Sequence, residues 1–170
     1  LQRITALNGV DKSRTTLTGD WDRRAERIAL PGGHAEARLA DGGNCFNLNS
    51  VAQGDVPTRL TARPLGIAQF TALMQLLGVA APDAREIAAA LADWVDADSV
   101  PIPDGAEDET YRKASTPYRT GNTLLVEPSE LRAVDGVTPE IYARLRPWVC
   151  ALPTADLSPL NVNTLRPEQA

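Results

Sequence analysis

Carboxylates crowd one stretch of this chain. Asp96 and Asp98 follow directly on an apolar helical run, and Asp104, Glu107 and Asp108 come soon after. Irregular loops rich in oxygen hold hard cations, and calcium takes about 6–8 oxygens at roughly 2.3–2.6 Å. Counted from Asp96 as position 1, Asp98, Asp104 and Glu107 fall at positions 3, 9 and 12, all ligand positions of an EF-hand loop. The register then fails. Position 5 is Val100, which has no side-chain oxygen, and position 6, where Gly is required, is Pro101. The segment is therefore not an EF-hand. Two readings stay open: a calcium loop of another geometry, and a solvated acidic loop after a helix. A general acid/base pair needs more assumptions than either.

Cys45 and Cys150 are the only cysteines. Two cannot build a Cys-rich zinc site. They leave open one disulfide or two buried free thiols. A bridge across their separation of 105 residues would contribute up to about 4–5 kcal/mol in the chain-entropy picture, and only in an oxidising compartment. His34 is the single histidine, beside Gly32-Gly33, with no serine or cysteine motif next to it. It reads as a surface or strand-end residue. Gly42-Gly43 precedes an extended run rather than a helix, so it is no phosphate loop. Ser129 to Trp148 has the form of a helix-hairpin-helix, whose hairpin amides meet phosphate in DNA-binding versions. Arg132, Arg144 and Arg146 are offset here by Glu130, Asp135 and Glu140, and Asp135 sits at the turn where it would repel phosphate. A packing unit explains the segment better.

The elements that must position these residues follow from periodicity. Residues 1–22 are polar and fit a frayed helix end or a surface loop. Ile28 and Leu30 precede the Pro31-Gly32-Gly33 turn, and Ala35, Ala37 and Leu39 then alternate with more polar residues. Phe46 and Leu48 alternate with Cys45, Asn47 and Asn49 beyond a Gly-rich loop, so residues 34–50 are expected to form a β-hairpin. After Thr58 the period becomes helical. Ile67, Phe70, Met74 and Leu77 make one stripe, and Ile87, Leu91 and Trp94 another, with Gly78 as a stop and Pro82 as a helix start. These predict an αα-hairpin. Residues 96–123 read as a long irregular stretch that something must pin. A short helix is expected from Pro128, broken at Asp135-Gly136. Another starts at Thr138-Pro139, carries Ile141, Leu145 and Trp148, and has Pro147 near its end. Leu160 to Thr164 alternates like a strand. Strands, a helical block and a return to extended chain make an α+β fold with a helical insert.

Composition narrows the class. The chain has 170 residues, 43% hydrophobic and 23% charged, which suits one folded domain or a domain with a large insert. Its 17 Lys and Arg against 22 Asp and Glu give a net charge of −5, which weighs against a general nucleic-acid binder. No apolar run reaches the roughly 18 residues that suggest a membrane span.

Six segments then occur in a familiar order: CFNLNS at 45–50, LADWVDADS at 91–99, GAEDETY at 105–111, PYRTGNT at 117–123, SELRAVDGVTPEIYARLRPWVCALP at 129–153 and LNVNT at 160–164. Together they resemble the K-type minor pseudopilins of type II secretion systems, the general secretion pathway protein K family. The resemblance implies pilin-like strands with a large inserted helical domain of SAM-like, helix-hairpin-helix-like type. On that plan, residues 1–57 are the pilin-like part, 58–159 the insert with its acidic metal loop, and 160–170 a return segment. Because the family continues past the LNVNT segment, that return is expected to be truncated here. The resemblance further implies a non-enzymatic protein at the pseudopilus tip, helping to initiate or cap assembly with the I- and J-type minor pseudopilins. Such proteins lie in the Gram-negative periplasm, anchored in the inner membrane by an N-terminal helix absent from this chain. It also implies structural calcium, with Asp96, Asp98, Glu107 and Asp108 as candidate ligands, and favours a Cys45–Cys150 disulfide. The rivals from other classes are a helix-hairpin-helix nucleic-acid module and a metal-dependent hydrolase. The second needs an open coordination position and a nearby base, and only His34 is on offer.

Overall fold

Pro31 and Gly32 turn the first two strands back on each other. In the computed structural model, which describes residues 16–17, 25–39 and 41–165, β1 (Glu26–Leu30) pairs antiparallel with β2 (Gly33–Ala37), Leu30 opposite Gly33 and Ile28 opposite Ala35. Gly32 has φ of +84°, the left-handed value that follows proline in a type II turn. The hairpin is thus 26–37, not the expected 34–50. A two-residue turn fixes the register at once, so β2 pairs backward and never reaches residues 45–50. Most of residues 1–22 lie outside the described residues.

The described residues fall into two compact units: those up to Asn44 together with those from Pro159 onward, and Cys45–Ser158. The division falls at 44/45, where the sequence reading placed it at 57/58.

Within the first unit, the expected strand Leu160–Thr164 is a turn instead, closed by the Thr164 N–H on the Asn161 carbonyl at 3.0 Å. Its Asn161 and Thr164 bond to the 41–44 loop rather than to a strand ladder, while Asn163 donates to Asn161 Oδ1. Asn44 Nδ2 donates to Thr164 Oγ1 at 2.8 Å, the Asn161 N–H donates to Asn44 Oδ1 at 2.8 Å, and Asn161 Nδ2 donates to Asp41 at 3.0 Å. Short polar side chains compete with regular backbone pairing in this way.

The second unit is closed by a long-range pair. β3 (Phe46–Asn47) runs parallel to β6 (Val149–Cys150), with a Cys45–Cys150 disulfide beside it, Cα atoms 5.7 Å apart. A 3₁₀ turn (Leu48–Val51) leads to β4 (Ala52–Gln53), which pairs antiparallel with β5 (Thr61–Ala62). The αα-hairpin follows as α1 (Pro64–Leu76) and α2 (Ala81–Val95), each with proline in its first turn, and Gly78 past the end of α1 at φ +80°. Gly66 lets α1 touch the 3₁₀ turn: a Cβ there would collide with the Ser50 carbonyl.

The centre of this unit is α2. Residues Ile87 to Val95 are all buried, and the four alanines among them let neighbouring elements approach from every side. Leu48, Phe70, Met74, Leu131 and Leu145 are wholly buried around it, each contributing about 1.5–3 kcal/mol by leaving water. Phe46 stacks on Phe70 at 5.2 Å.

Two further elements complete the unit. The expected helix at Pro128 is a 3₁₀ turn (Pro128–Ala133). The loop at 96–123 gains one helical turn, α3 (Asp108–Tyr111), that periodicity did not reveal. The last helix, α4 (Pro139–Leu145), is capped by Thr138, whose Oγ1 accepts the Ile141 N–H. Gly136 in the intervening turn packs on Ile87, so close that a Cβ would lie 2.9 Å from its Cγ1. The Asp135 N–H donates to the Tyr111 hydroxyl at 3.2 Å, and Arg144 donates to the Gly78 carbonyl at 3.1 Å. This hairpin faces its own core and is a packing unit; nothing here favours nucleic acid.

Candidate metal centre

The long loop is pinned on one side by aromatic rings. Trp94, at the end of α2, meets Tyr111 edge-on at 5.2 Å, and Tyr118 lies 5.2 Å from Tyr111. The Asn122 N–H donates to the Trp94 carbonyl at 3.0 Å, which returns residues 118–122 to the helix end. Gly121 lies against the indole, where a Cβ would sit 3.2 Å from Nε1.

The other side is built of acids. Asp98 makes a tight turn, its Oδ1 accepting the Val100 N–H at 2.8 Å. Asp104 takes φ of +66° and the Gly105 N–H bonds the Ile102 carbonyl at 2.9 Å, which swings the chain back toward α2. Gly105 is needed there because a Cβ would run into Asp93 Oδ2. The turn delivers Glu107 to Asp96 and Asp98, and one oxygen from each of the three lies within 4.8 Å of the others. Oxygens bound to one calcium at about 2.4 Å can stand no farther apart than roughly that.

These acids are poorly compensated. Asp93, Asp96 and Glu107 are 0%, 2% and 5% exposed. Asp93 Oδ2, Asp96 Oδ1 and Glu107 Oε1 are buried without a hydrogen-bond partner. Among the described residues, no Lys or Arg pairs with Asp93, Asp96, Asp98 or Glu107. Asp93 and Asp96 also stand at the C-terminal end of α2, where the helix dipole disfavours negative charge. Burial pushes the Asp93 carboxyl up to about 7, with the charges of Asp96 and Glu107 adding to it. Burial, then Asp98 and Glu107, pushes Asp96 up to about 6, and burial raises Glu107 as well. Buried acceptors with neither donor nor cation are what a bound hard cation would satisfy. The donor set, all oxygen, fits calcium. A surface hollow lined by Ser99, Pro101, Gly105, Glu107 and Asp108 among others reaches Glu107 from solvent.

Of the four acids singled out from sequence, Asp96, Asp98 and Glu107 converge. Asp108 is the first residue of α3 and is engaged elsewhere: Arg112 lies at 2.7 Å, Arg119 at 3.7 Å, and the Thr120 N–H donates to it at 3.1 Å. Burial alone would raise its pKa, but these partners hold it below the usual range. Sequence reasoning missed Asp93, although it breaks the apolar run between Ala92 and Trp94 on the half of α2 that is buried on all sides. It also left Thr120 and Asn122 without a role.

Comparison with known proteins now bears on the whole unit. A family model described as type II secretion system (T2SS), protein K, matches residues 44–154. The chain belongs to the type II secretion system protein K family. Five of the six segments quoted above lie inside the matched range. The chain is 40% identical over 153 residues to the Type II secretion system protein K of Pectobacterium carotovorum subsp. carotovorum, covering 89% of this chain and 46% of that one. It is 41% identical over 159 residues to the protein K of Klebsiella pneumoniae, covering 93% and 48%. It thus spans about half the length of these curated relatives. A solved chain from the GspK-GspI-GspJ complex of the enterotoxigenic Escherichia coli Type 2 Secretion System superposes with a TM-score of 0.83 at 35% identity, covering 98% of this chain and 60% of that one. The α+β fold is therefore shared within the family. No helix of the described residues is long and apolar enough to cross a membrane.

Proposed function

We propose that this chain is the periplasmic part of a non-enzymatic minor pseudopilin, which assembles with I- and J-type minor pseudopilins at the tip of the type II secretion pseudopilus. It would help to initiate or cap pseudopilus assembly for protein export across the outer membrane, anchored in the inner membrane through an N-terminal helix. The observation that carries this is its likeness to a protein K solved together with GspI and GspJ. The Cys45–Cys150 bridge supports the periplasm, since such bonds persist in oxidising compartments. Gel filtration of this chain with the soluble parts of I- and J-type partners should give one co-eluting complex. Elution of each component at its own volume would overturn the assembly reading.

Calcium is the second part of the proposal. Asp96, Asp98 and Glu107 would hold it, with Asp93 behind them, and the ion would supply charge compensation that pins the loop. The support is the buried oxygens of Asp96 and Glu107 that lack donors. Elemental analysis of the purified protein should find calcium, and melting should occur at a higher temperature in calcium than in EDTA. Coincident melts with no bound metal would sink this part alone.

A further inference from the structure

The wall opposite the acids is one short segment that reaches two of the three converging residues. Thr120 Oγ1 lies 3.1 Å from Glu107 Oε2 and equally 3.1 Å from Asp108 Oδ1, which also accepts the Thr120 N–H. The two oxygens of Glu107 are thereby unequal: Oε2 has a hydroxyl beside it, while Oε1 is buried with no partner. Two residues on, Asn122 Nδ2 donates to the Asp98 carbonyl at 2.7 Å. Asp98 is the exposed member of the acid group and the one least held by packing. It is gripped at its carboxylate by the Val100 N–H and at its carbonyl by Asn122. Asn122 itself sits at φ +45° with its N–H on Trp94, so its backbone is fixed independently of its amide, whose Oδ1 is, like Glu107 Oε1, buried without a partner.

We infer that Thr120 and Asn122 are the positioning residues of the ion site. Thr120 turns Glu107 so that Oε1 faces the cation, and Asn122 holds Asp98 within reach of the same point. The inference rests on the calcium reading above. Outer hydrogen bonds to ligating carboxylates fix their orientation, and their loss typically weakens metal binding about 10–100-fold. The aromatic contacts of Trp94, Tyr111 and Tyr118 and the Asn122 N–H bond to Trp94 involve neither the Thr120 hydroxyl nor the Asn122 amide. The loop's aromatic and backbone anchorage is thus separate from these two side chains.

Isothermal titration of the chelator-stripped chain with calcium, paired with melts in EDTA, tests this. Thr120→Val should weaken binding about 10–100-fold and leave the EDTA melt near that of the wild type, while Thr120→Ser restores affinity. Asn122→Gly keeps the left-handed backbone, removes the amide, and should weaken binding by about tenfold; it serves equally if Thr120→Val fails to fold. Wild-type affinity in both variants, with melts lowered equally in calcium and EDTA, would make these residues merely structural and overturn the inference. If the wild-type chain takes up no calcium, the calcium reading itself has failed, and this inference with it.

Discussion

Two groups of buried polar side chains lie in the Cys45–Ser158 unit, and they are completed in opposite ways. Asn47 and Asn49 are wholly buried, and each of their amide atoms has a partner. Asn47 Nδ2 donates to the carbonyls of Thr154 and Asp156, and its Oδ1 accepts the N–H groups of Asn49 and Leu152. Asn49 Nδ2 donates to Leu125 and Leu152, and its Oδ1 accepts the Leu125 N–H. Asp93, Asp96 and Glu107 are about as deeply buried, yet each keeps an oxygen with no partner. The chemistry of the groups explains the contrast. An amide offers donors and acceptors together, so backbone alone can satisfy it; an ionised carboxylate only accepts. The asparagines make a staple complete in itself, while the acids make a site completed from outside.

The sharpest test of that contrast is at Asn49. Asn49→Ala would leave the Leu125 N–H and the Leu125 and Leu152 carbonyls without this partner in the interior. At about 1–3 kcal/mol for each of these three groups, the loss should be at least about 3 kcal/mol. Urea unfolding should show the same loss in calcium and in EDTA. A loss confined to one buffer would mean that staple and acid site are not separate devices.

The asparagines also show where sequence reading stops. Alternation in CFNLNS suggested an extended segment, and Phe46–Asn47 is one, but its partner is Val149–Cys150, about a hundred residues away. Local periodicity contains no information about such pairing. The helical stripes were legible because α1 and α2 bury repeating apolar faces: Phe70, Met74, Ile87 and Leu91 are all in the core. Asp96, Asp98 and Glu107 were legible as acids but not as a cluster, because the Asp104-Gly105 turn brings them together. Asp93 was hidden because the Ile87–Val95 half of α2, buried all round, offers no polar face against which one acid stands out. In LNVNT the polar residues serve a turn, Asn161 and Thr164 bonding to the 41–44 loop and Asn163 to Asn161, and spacing alone cannot separate such a turn from a strand.

A smaller effect is expected from removing acids. Asp96→Ala combined with Asp98→Ala should lower stability in saturating calcium by about 2–3 kcal/mol, the mass-action contribution of a ligand at about a hundred times its dissociation constant. In EDTA the variant should melt close to the wild type, since the buried, mutually repelling carboxylates contribute little without an ion. Thermal melts in the two buffers check this. Equal destabilisation in both would assign the acids to the folded scaffold, as the asparagines are, and erase the comparison.

The smallest effect, and the most diagnostic in sign, is the response to pH. Asp93 at about 7 and Asp96 at about 6 lie above the ordinary carboxylate value near 3.8. Between about pH 4 and pH 7 the metal-free folded chain therefore binds more protons than the unfolded one, and stability falls as pH rises through that window. Acidifying the EDTA-treated protein from pH 7 to pH 5 should raise its melting temperature. In calcium the slope should reverse, because protons compete with the ion for the same oxygens. The amides of Asn47 and Asn49 do not titrate and contribute to neither slope. Asp41 and Asp108, whose burial is outweighed by hydrogen bonds from Thr164 and Thr120 among others, sit below the ordinary value; their stabilisation is lost only at still lower pH, outside the window. Melts at pH 5, 6 and 7 in each buffer give the two slopes. Parallel slopes would mean that the ion and the protons do not share a site, and that the uncompensated oxygens of Asp96 and Glu107 are not where calcium binds.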